Sequence, residues 1–173
     1  MAKSFAIVTL GCPKNTWESE GMAQLLIDSG LTPETDLKAA DYLVVNTCGF
    51  IGPAKEESID TVLKLGASKT KRQKLLVTGC LVQRYPEELA NEMPEVDGFL
   101  GTRVWGEVVN FVRSVGAGER PCWTEAPASE PHVLRNLKQP WAYLKIADGC
   151  SAGCSFCAIP IFKGGYRSRP AAE

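Results

Sequence analysis

The sequence of 173 residues has no excess of charge of either sign, because 19 lysine and arginine residues oppose 20 aspartate and glutamate residues. This balance excludes a strongly basic surface, so strong direct binding to nucleic acid through bulk electrostatics is not expected. No run of apolar residues approaches the roughly 20 that a membrane-spanning helix needs. The first residues lead directly into a strand-like pattern without the apolar h-region of a signal peptide, which predicts a cytoplasmic protein with no membrane partner.

Low net charge also argues against intrinsic disorder when the apolar content is 45%. Disordered chains combine few apolar residues with a high net charge. The length is that of one ordinary globular domain with a smaller second part. We therefore expect a chain that folds round an apolar core.

The first hundred residues alternate between short apolar runs and helical patterns. The runs are typical of buried parallel strands, and they cover residues 5–10, 42–47 and 74–79, with a weaker candidate at 98–101. Helical spacing predicts helices over residues 17–29, 53–65, 86–91 and 107–115, the second of them ended by Gly66. Asn15 is predicted to cap the first helix together with Glu18. This alternation predicts an α/β fold, an open parallel sheet with flanking helices.

The composition changes after residue 116. Glycine and proline are frequent over residues 117–139, which indicates a linker. An apolar run over residues 141–147 predicts a new strand, and a crowded group of cysteines follows it. We therefore divide the chain into an α/β domain at 1–116, a linker at 117–139 and the start of a second domain at 140–173.

Three of the seven cysteines are far apart in the sequence but hold equivalent positions in the predicted sheet. Cys12, Cys48 and Cys80, here called the dispersed triad, each follow a predicted strand directly or after one glycine. The carboxyl ends of parallel strands share one edge, where open α/β sheets bind ligands and where helix amino-termini favour thiolates. Each residue alone could be an ordinary buried cysteine. The shared position favours a common metal site.

Three further cysteines are crowded into one loop. Cys150, Cys154 and Cys157, here called the compact triad, have the spacing Cys-x-x-x-Cys-x-x-Cys. Thiolates are the ligands of iron–sulfur clusters and of zinc, but a structural zinc site needs four protein ligands, and His132 in the linker is the only candidate for a fourth. Three ligands leave one iron of a 4Fe-4S cluster open to an exogenous ligand. Cys122 belongs to neither triad and is expected to be a free thiol.

The compact triad, with Phe156 before its last cysteine, resembles the signature of the radical S-adenosylmethionine enzymes. Residues 11–15, 18–20, 46–48 and 78–80 resemble the amino-terminal domain of the methylthiotransferase family within that superfamily. The resemblance implies a 4Fe-4S cluster on the compact triad that binds S-adenosylmethionine, with Phe156 beside the adenine or packed on the loop. It also implies a second 4Fe-4S cluster on the dispersed triad, so both triads are metal ligands.

Two branches of this family differ directly after Cys12. Pro13, Lys14 and Asn15 match the branch that adds a methylthio group to the β-carbon of an aspartate in small-subunit ribosomal protein twelve. The branch that modifies an adenosine of tRNA usually has Gln-Met-Asn there. The ribosomal branch is favoured, and the implied partners are that ribosomal protein and an electron donor. The alternatives are the tRNA branch and a non-catalytic fragment that binds an iron–sulfur cluster or zinc.

The sequence departs from the family in two respects. Lys163 stands where the family generally has arginine, which keeps the charge but not the forked geometry. The family continues with most of a radical S-adenosylmethionine barrel and a small β-barrel, whereas this chain resembles only the front of such an enzyme, with an incomplete barrel. Arg167 and Arg169 close the matching signature and could meet a carboxylate or phosphate.

Overall fold

The computed structural model describes residues 3–125, residue 133 and residues 140–170. The larger part is an α/β unit, and the smaller part is a cysteine-bearing segment that packs against it. The elements in chain order are β1 (Ser4–Thr9), α1 (Pro13–Asp28), β2 (Thr32–Pro33), β3 (Tyr42–Thr47), α2 (Gly52–Ser68), β4 (Lys74–Gly79), α3 (Cys80–Arg84), α4 (Pro86–Glu92), β5 (Gly98–Gly101), a 3-10 helix (Thr102–Glu107), α5 (Val108–Gly116), β6 (Cys122–Trp123), β7 (Ala147–Asp148), α6 (Ile159–Lys163) and β8 (Arg167–Ser168).

The six strands of the main sheet are all parallel and lie in the order β2-β1-β3-β4-β5-β6. The chain moves from β1 to β2 on one side and then places β3 on the other side, so the strand order reverses between β1 and β3. In open α/β sheets a ligand binds at this reversal, outside the carboxyl ends of the strands. The fold therefore marks the loops after β1 and β3 as the place for a site.

Alternate side chains of the central strands pack into two apolar layers. Val44 and Leu76 face one layer, which α1, α5 and the 3-10 helix cover, and Val45 and Val77 face the other, which α2, α3 and α4 cover. Helices on both faces leave β3 buried along its whole length. None of the helices in the described part of the chain combines the length and apolarity needed to cross a membrane.

The predicted α/β class and the four predicted strands are confirmed, each to within one residue. The two-residue strands β2 and β6 are additional, and β6 lies within the segment predicted as a linker. The predicted end of α2 at Gly66 is wrong, because the helix continues to Ser68 and closes when the Lys69 N–H donates to the Leu65 carbonyl. The domain boundaries at 1–116, 117–139 and 140–173 stay a prediction.

The predicted capping of α1 by Asn15 and Glu18 is wrong. The helix begins at Pro13, four residues before the predicted start at residue 17, with Cys12 as its N-cap residue and no side-chain capping hydrogen bond. Proline suits this first position because its fixed φ is helical and it has no N–H to leave unpaired. Asn15 and Glu18 are thereby placed inside the helix, where both side chains are buried and have other partners.

The predicted strand over residues 141–147 is also wrong in extent. Only Ala147 and Asp148 pair, in antiparallel fashion with β8. Residues 141–146 have no strand beside them in the described structure, and Leu144 is 86% exposed. A strand needs a neighbour for its backbone hydrogen bonds, so the apolar pattern alone does not form one here.

The stability of the sheet depends on the buried central strands. We expect Leu76→Ala, at a fully buried position of β4, to lower the free energy of unfolding by about 2–5 kcal/mol, because it leaves a cavity between helix and sheet. The matched Leu144→Ala, at an exposed position, should change it by no more than about 0.5 kcal/mol. Urea denaturation followed by circular dichroism measures both, and equal effects would contradict this account of the core.

Candidate metal centre

The register of the sheet brings the dispersed triad to one edge. Thr47 pairs with Gly79, so Cys48 and Cys80 occupy the next, equivalent positions after β3 and β4. Thr9 pairs with Asn46, which places Cys12 one residue further out on the neighbouring strand. All three residues therefore lie at the carboxyl edge, and Cys12 and Cys48 flank the reversal of strand order.

Close packing fixes Cys48 at this edge. A methyl group built on Gly11 would lie 2.6 Å from the Cys48 Cβ and 3.0 Å from its Sγ, so the loop after β1 touches the loop after β3. The Ser58 hydroxyl of α2 accepts a hydrogen bond from the Cys48 N–H at 3.0 Å. Cys48 is consequently buried and held from two sides.

Asn15 links the three strand ends from within α1. Its side-chain amide donates to the carbonyl oxygens of Leu10 and Thr47, at 2.8 and 3.0 Å. Its Oδ1 lies 3.9 Å from the Cys80 Sγ, within the range of a weak thiol hydrogen bond. One fully buried side chain therefore connects the ends of β1 and β3 and the thiol that follows β4.

Burial favours the neutral form of the Cys80 thiol. Burial raises the pKa of Cys80 to about 12, although the nearby Lys163 ammonium acts in the opposite direction. The charge of a Cys12 thiolate also contributes to raising the pKa, so the two sulfurs are near enough to interact. A metal at this position would have to displace the Cys80 proton.

The compact triad occupies the loop between β7 and α6. The Cys150 N–H donates to the Gly164 carbonyl at 3.1 Å, and the Cys157 N–H donates to the Cys154 carbonyl at 3.2 Å. Cys154 is exposed, and Cys150 and Cys157 are partly buried. The loop is thus closed at its base by backbone hydrogen bonds and open to solvent at its tip.

The segment that follows the compact triad packs on Cys80 of the dispersed triad. Ala158 and Phe162 form a small apolar cluster with Cys80, which leaves Cys80 only 4% exposed. Next to this cluster, Lys163 forms a buried ion pair with Glu18. The segment that follows the compact triad therefore covers one cysteine of the dispersed triad.

Asp148 anchors the base of the compact loop. Its carboxylate accepts hydrogen bonds from Lys14 of α1, at 3.2 Å, and from the Gly149 N–H, at 3.0 Å, and it pairs with Lys145 at 2.8 Å. Burial alone would raise its pKa, but the Lys163 and Lys145 charges outweigh that effect and hold the pKa of Asp148 well below its usual range. Asp148 therefore stays ionised and keeps the loop tied to α1.

The donor set fits an iron–sulfur cluster better than a single ion. All seven cysteines are free thiols. Within the described residues, no three or more cysteine, histidine, aspartate or glutamate side chains converge on a point where one metal ion could be held. A 4Fe-4S cluster spreads its ligands over different irons, and soft thiolates are the ligands it requires. The assignment of both triads as metal ligands stays a prediction.

The remaining candidate residues from the sequence lie outside the two triads, and most of them are exposed. Phe156 is 90% exposed, so it does not pack on the cysteine loop, and its place beside an adenine stays a prediction. The Arg169 guanidinium lies 5.0 Å from the centre of the Trp17 ring. Arg167 lies exposed in β8, and Cys122 is exposed near the Pro86 carbonyl. His132 lies outside the described residues.

Sequence reasoning missed three polar residues beside the site. Glu18, Thr102 and Lys163 are no more than 5% exposed and are joined by hydrogen bonds. The signals in the sequence are indirect: Glu18 lies in a segment that resembles the family, and Lys163 stands where the family generally has arginine. Nothing in the spacing indicates that Glu18, far away in the sequence, is its partner.

One family of known proteins matches the part of the chain that carries the dispersed triad. A family model described as "Uncharacterized protein family UPF0004" matches residues 4–101, which run from β1 to β5 and contain the whole dispersed triad. Its range ends before the segment that carries the compact triad. The match therefore covers the α/β unit from β1 to β5.

Curated relatives match almost the whole chain. It is 46% identical over 176 residues to the ribosomal protein uS12 methylthiotransferase RimO of Anaeromyxobacter sp. (strain K), with 98% of this chain and 37% of the relative covered. The proteins of the same name from Myxococcus xanthus (strain DK1622) and Citrifermentans bemidjiense are 44% and 45% identical, with 97% and 96% of this chain and 36% and 39% of the relatives covered. The predicted resemblance to the ribosomal branch of the methylthiotransferases is confirmed, and the chain spans less than two-fifths of these relatives.

The contact between Gly11 and Cys48 yields a matched pair of substitutions. Gly11 and Gly30 both have a positive φ, +86° and +95°, but a methyl group would meet nothing within 4 Å at Gly30. Gly30→Ala should therefore cost only the backbone strain of about 1–2 kcal/mol. Gly11→Ala should cost about 1–3 kcal/mol more, because the methyl group must displace Cys48. Urea unfolding of the metal-free chain measures the difference, and equal losses would show that Gly11 is not tightly packed.

Proposed function

The chain belongs to the protein family UPF0004, and from this membership and its two cysteine triads we propose that it is the amino-terminal part of a ribosomal protein uS12 methylthiotransferase. The observation that carries the proposal is the packing of Ala158 and Phe162, which follow the compact triad, on Cys80 of the dispersed triad. The proposed reaction adds a methylthio group to the β-carbon of an aspartate in uS12. The proposed location is the cytoplasm, and the proposed partners are uS12 and an electron donor.

Two 4Fe-4S clusters and S-adenosylmethionine are the cofactors of this proposal. Cys12, Cys48 and Cys80 would hold one cluster, and Cys150, Cys154 and Cys157 the other. When bound, these groups supply the one-electron chemistry that replaces an unactivated C–H bond with a C–S bond, which acid–base side chains cannot do.

The chain's own residues shape two different surroundings for the triads. On the dispersed side, α6 covers Cys80 and excludes water, while Asn15 holds the strand ends together. On the compact side, Cys154 and Phe156 are exposed at the tip of the loop. In the dispersed triad Cys48 and Cys80 are buried and Cys12 is exposed, whereas Cys154 at the tip of the compact loop is open to a small molecule, which supports the assignment of S-adenosylmethionine to the compact triad.

The proposal predicts the metal content of the chain. After anaerobic reconstitution with iron and sulfide we expect about eight irons per chain, four from each 4Fe-4S cluster. Replacement of all three cysteines of either triad with alanine should leave about four irons, because the other triad is intact. Iron and sulfide analysis with ultraviolet–visible spectra measures this content.

Cys122→Ala is the matched control, since Cys122 lies outside both triads and should leave the iron content unchanged. One zinc ion per chain, or a loss of all iron in either triple variant, would contradict the two-cluster assignment.

The substrate is tested with the protein from the complete gene, because the chain spans only part of its relatives. Expressed in a host without its own uS12 methylthiotransferase, it should convert one aspartate of uS12 to the methylthio form, seen by mass spectrometry of the ribosomal protein. Cys154→Ala should abolish the modification and Cys122→Ala should retain it. Modified tRNA adenosine with unmodified uS12 would instead establish the tRNA branch.

A further inference from the structure

A buried polar contact joins the segment after the compact triad to the α/β unit. The Lys163 ammonium donates to Glu18 Oε1 and, at 2.6 Å, to Thr102 Oγ1. The Thr102 hydroxyl donates in turn to Glu18 Oε2 at 2.8 Å. The three side chains are 5%, 1% and 2% exposed for Lys163, Glu18 and Thr102. They form a closed ring of hydrogen bonds within the protein, here called the Lys163 ring.

The members of the Lys163 ring are attached to the two triads through short, regular elements. Glu18 lies on α1, which begins directly after Cys12. Lys163 is the last residue of α6, which begins two residues after Cys157. Thr102 follows β5 directly. A displacement of Lys163 relative to Glu18 would therefore move the compact triad relative to the dispersed triad.

Arg103 holds the same helix by a second, independent contact. Its guanidinium donates to the carbonyl oxygens of Phe162, Pro160 and Ile161 at 3.2, 3.3 and 2.7 Å. All three are terminal carbonyls of α6, and that of Pro160 also accepts a hydrogen bond from the Gly164 N–H at 3.1 Å. Thr102 therefore holds the Lys163 side chain, and the adjacent Arg103 holds the backbone carbonyls at the end of α6.

The buried ion pair of Lys163 and Glu18 is better explained by a role in positioning α6 than by a contribution to the free energy of unfolding. Replacing a buried ion pair with apolar residues of similar volume is often neutral or stabilising, because removing two charges from water is costly. Such a pair does, however, permit only one arrangement of its partners. The burial of Lys163 raises no difficulty for its charge, since Glu18 and Asp148 outweigh desolvation and raise its pKa above the ordinary value.

We infer that Lys163 is a positioning residue that, through Glu18 and Thr102, holds the compact triad at a fixed place against the dispersed triad. The ring acts through α6 and touches neither substrate nor reacting atoms. The inference concerns the metal-free chain itself, and it rests on the proposed function only in treating the two triads as the sites whose separation matters.

The test is local hydrogen exchange in the metal-free chain. Lys163→Met should accelerate exchange about tenfold or more at the amides of Phe162 and Gly164, because α6 opens without unfolding the sheet. Amides of β3 and β4 should exchange at the original rate. Lys163→Arg, which keeps the charge, should exchange like the original chain.

The matched control is Lys14→Met, which removes an exposed contact between the same two parts of the chain. Exposed ion pairs contribute little, so α6 should keep its slow exchange. Unchanged α6 amides in Lys163→Met, or equal acceleration in β3 and β4, would overturn the inference.

Two further variants cover the case in which an unpaired Glu18 prevents folding. The double substitution Glu18→Gln with Lys163→Met removes both charges, and Arg103→Met removes only the contact to the α6 carbonyls. Both should accelerate α6 exchange selectively, and slow exchange in both would overturn the inference.

A second readout uses the reconstituted and reduced chain. Magnetic coupling between the two clusters, measured by electron paramagnetic resonance, should weaken in Lys163→Met and persist in Lys163→Arg. Absence of clusters from every variant would contradict the proposed function and leave the exchange result intact, so the two failures are distinguishable. Unchanged coupling in Lys163→Met would count against the positioning role.

Discussion

The parallel register of β1, β3 and β4 is the constraint on which the site depends. Thr9 faces Asn46 and Thr47 faces Gly79 in the hydrogen-bonded ladder, so the residues after each strand meet at one edge. A shift by one residue would turn each strand's apolar side chains toward the wrong layer, and the two apolar layers prevent it. The same packing that stabilises the sheet therefore fixes where its cysteines lie.

The edge of the sheet is unusually polar for a buried region. Asn15, Asn46 and Thr47 are fully buried there, and the Asn46 amide donates to the Asn15 carbonyl and the Ser19 hydroxyl, both at 3.0 Å. Apolar residues would fill this space at lower cost in desolvation. Hydrogen bonds instead hold strand ends and the start of α1 in one arrangement, which a site for several thiolates requires.

Sequence predicted the parts of the structure that depend on local pattern. Four strands and the positions of the dispersed cysteines follow from apolar runs, because strands buried on both faces leave a continuous signal. The predicted capping of α1 is wrong because the Asn15 side chain donates to the carbonyls of Leu10 and Thr47 in the interior. These backbone acceptors leave no signal in the sequence around Asn15. The strand over 141–147 was misjudged because pairing needs a neighbour that no pattern within the segment can supply.

The pairing of Glu18 with Lys163 is the contact that sequence patterns could least predict. The two residues are 145 positions apart, and the sequence, which suggests a helix cap for Glu18 and a family signature for Lys163, does not link them. Their contact brings a cation next to a buried thiol at Cys80, where burial favours the neutral form and the cation favours the thiolate. Metal ligation needs the thiolate, and within the ring Lys163 favours it while Glu18 opposes it, so burial still determines the raised pKa of Cys80. The position of α6 and the charge beside Cys80 both follow from the contact between Lys163 and Glu18, which forms only in the folded chain.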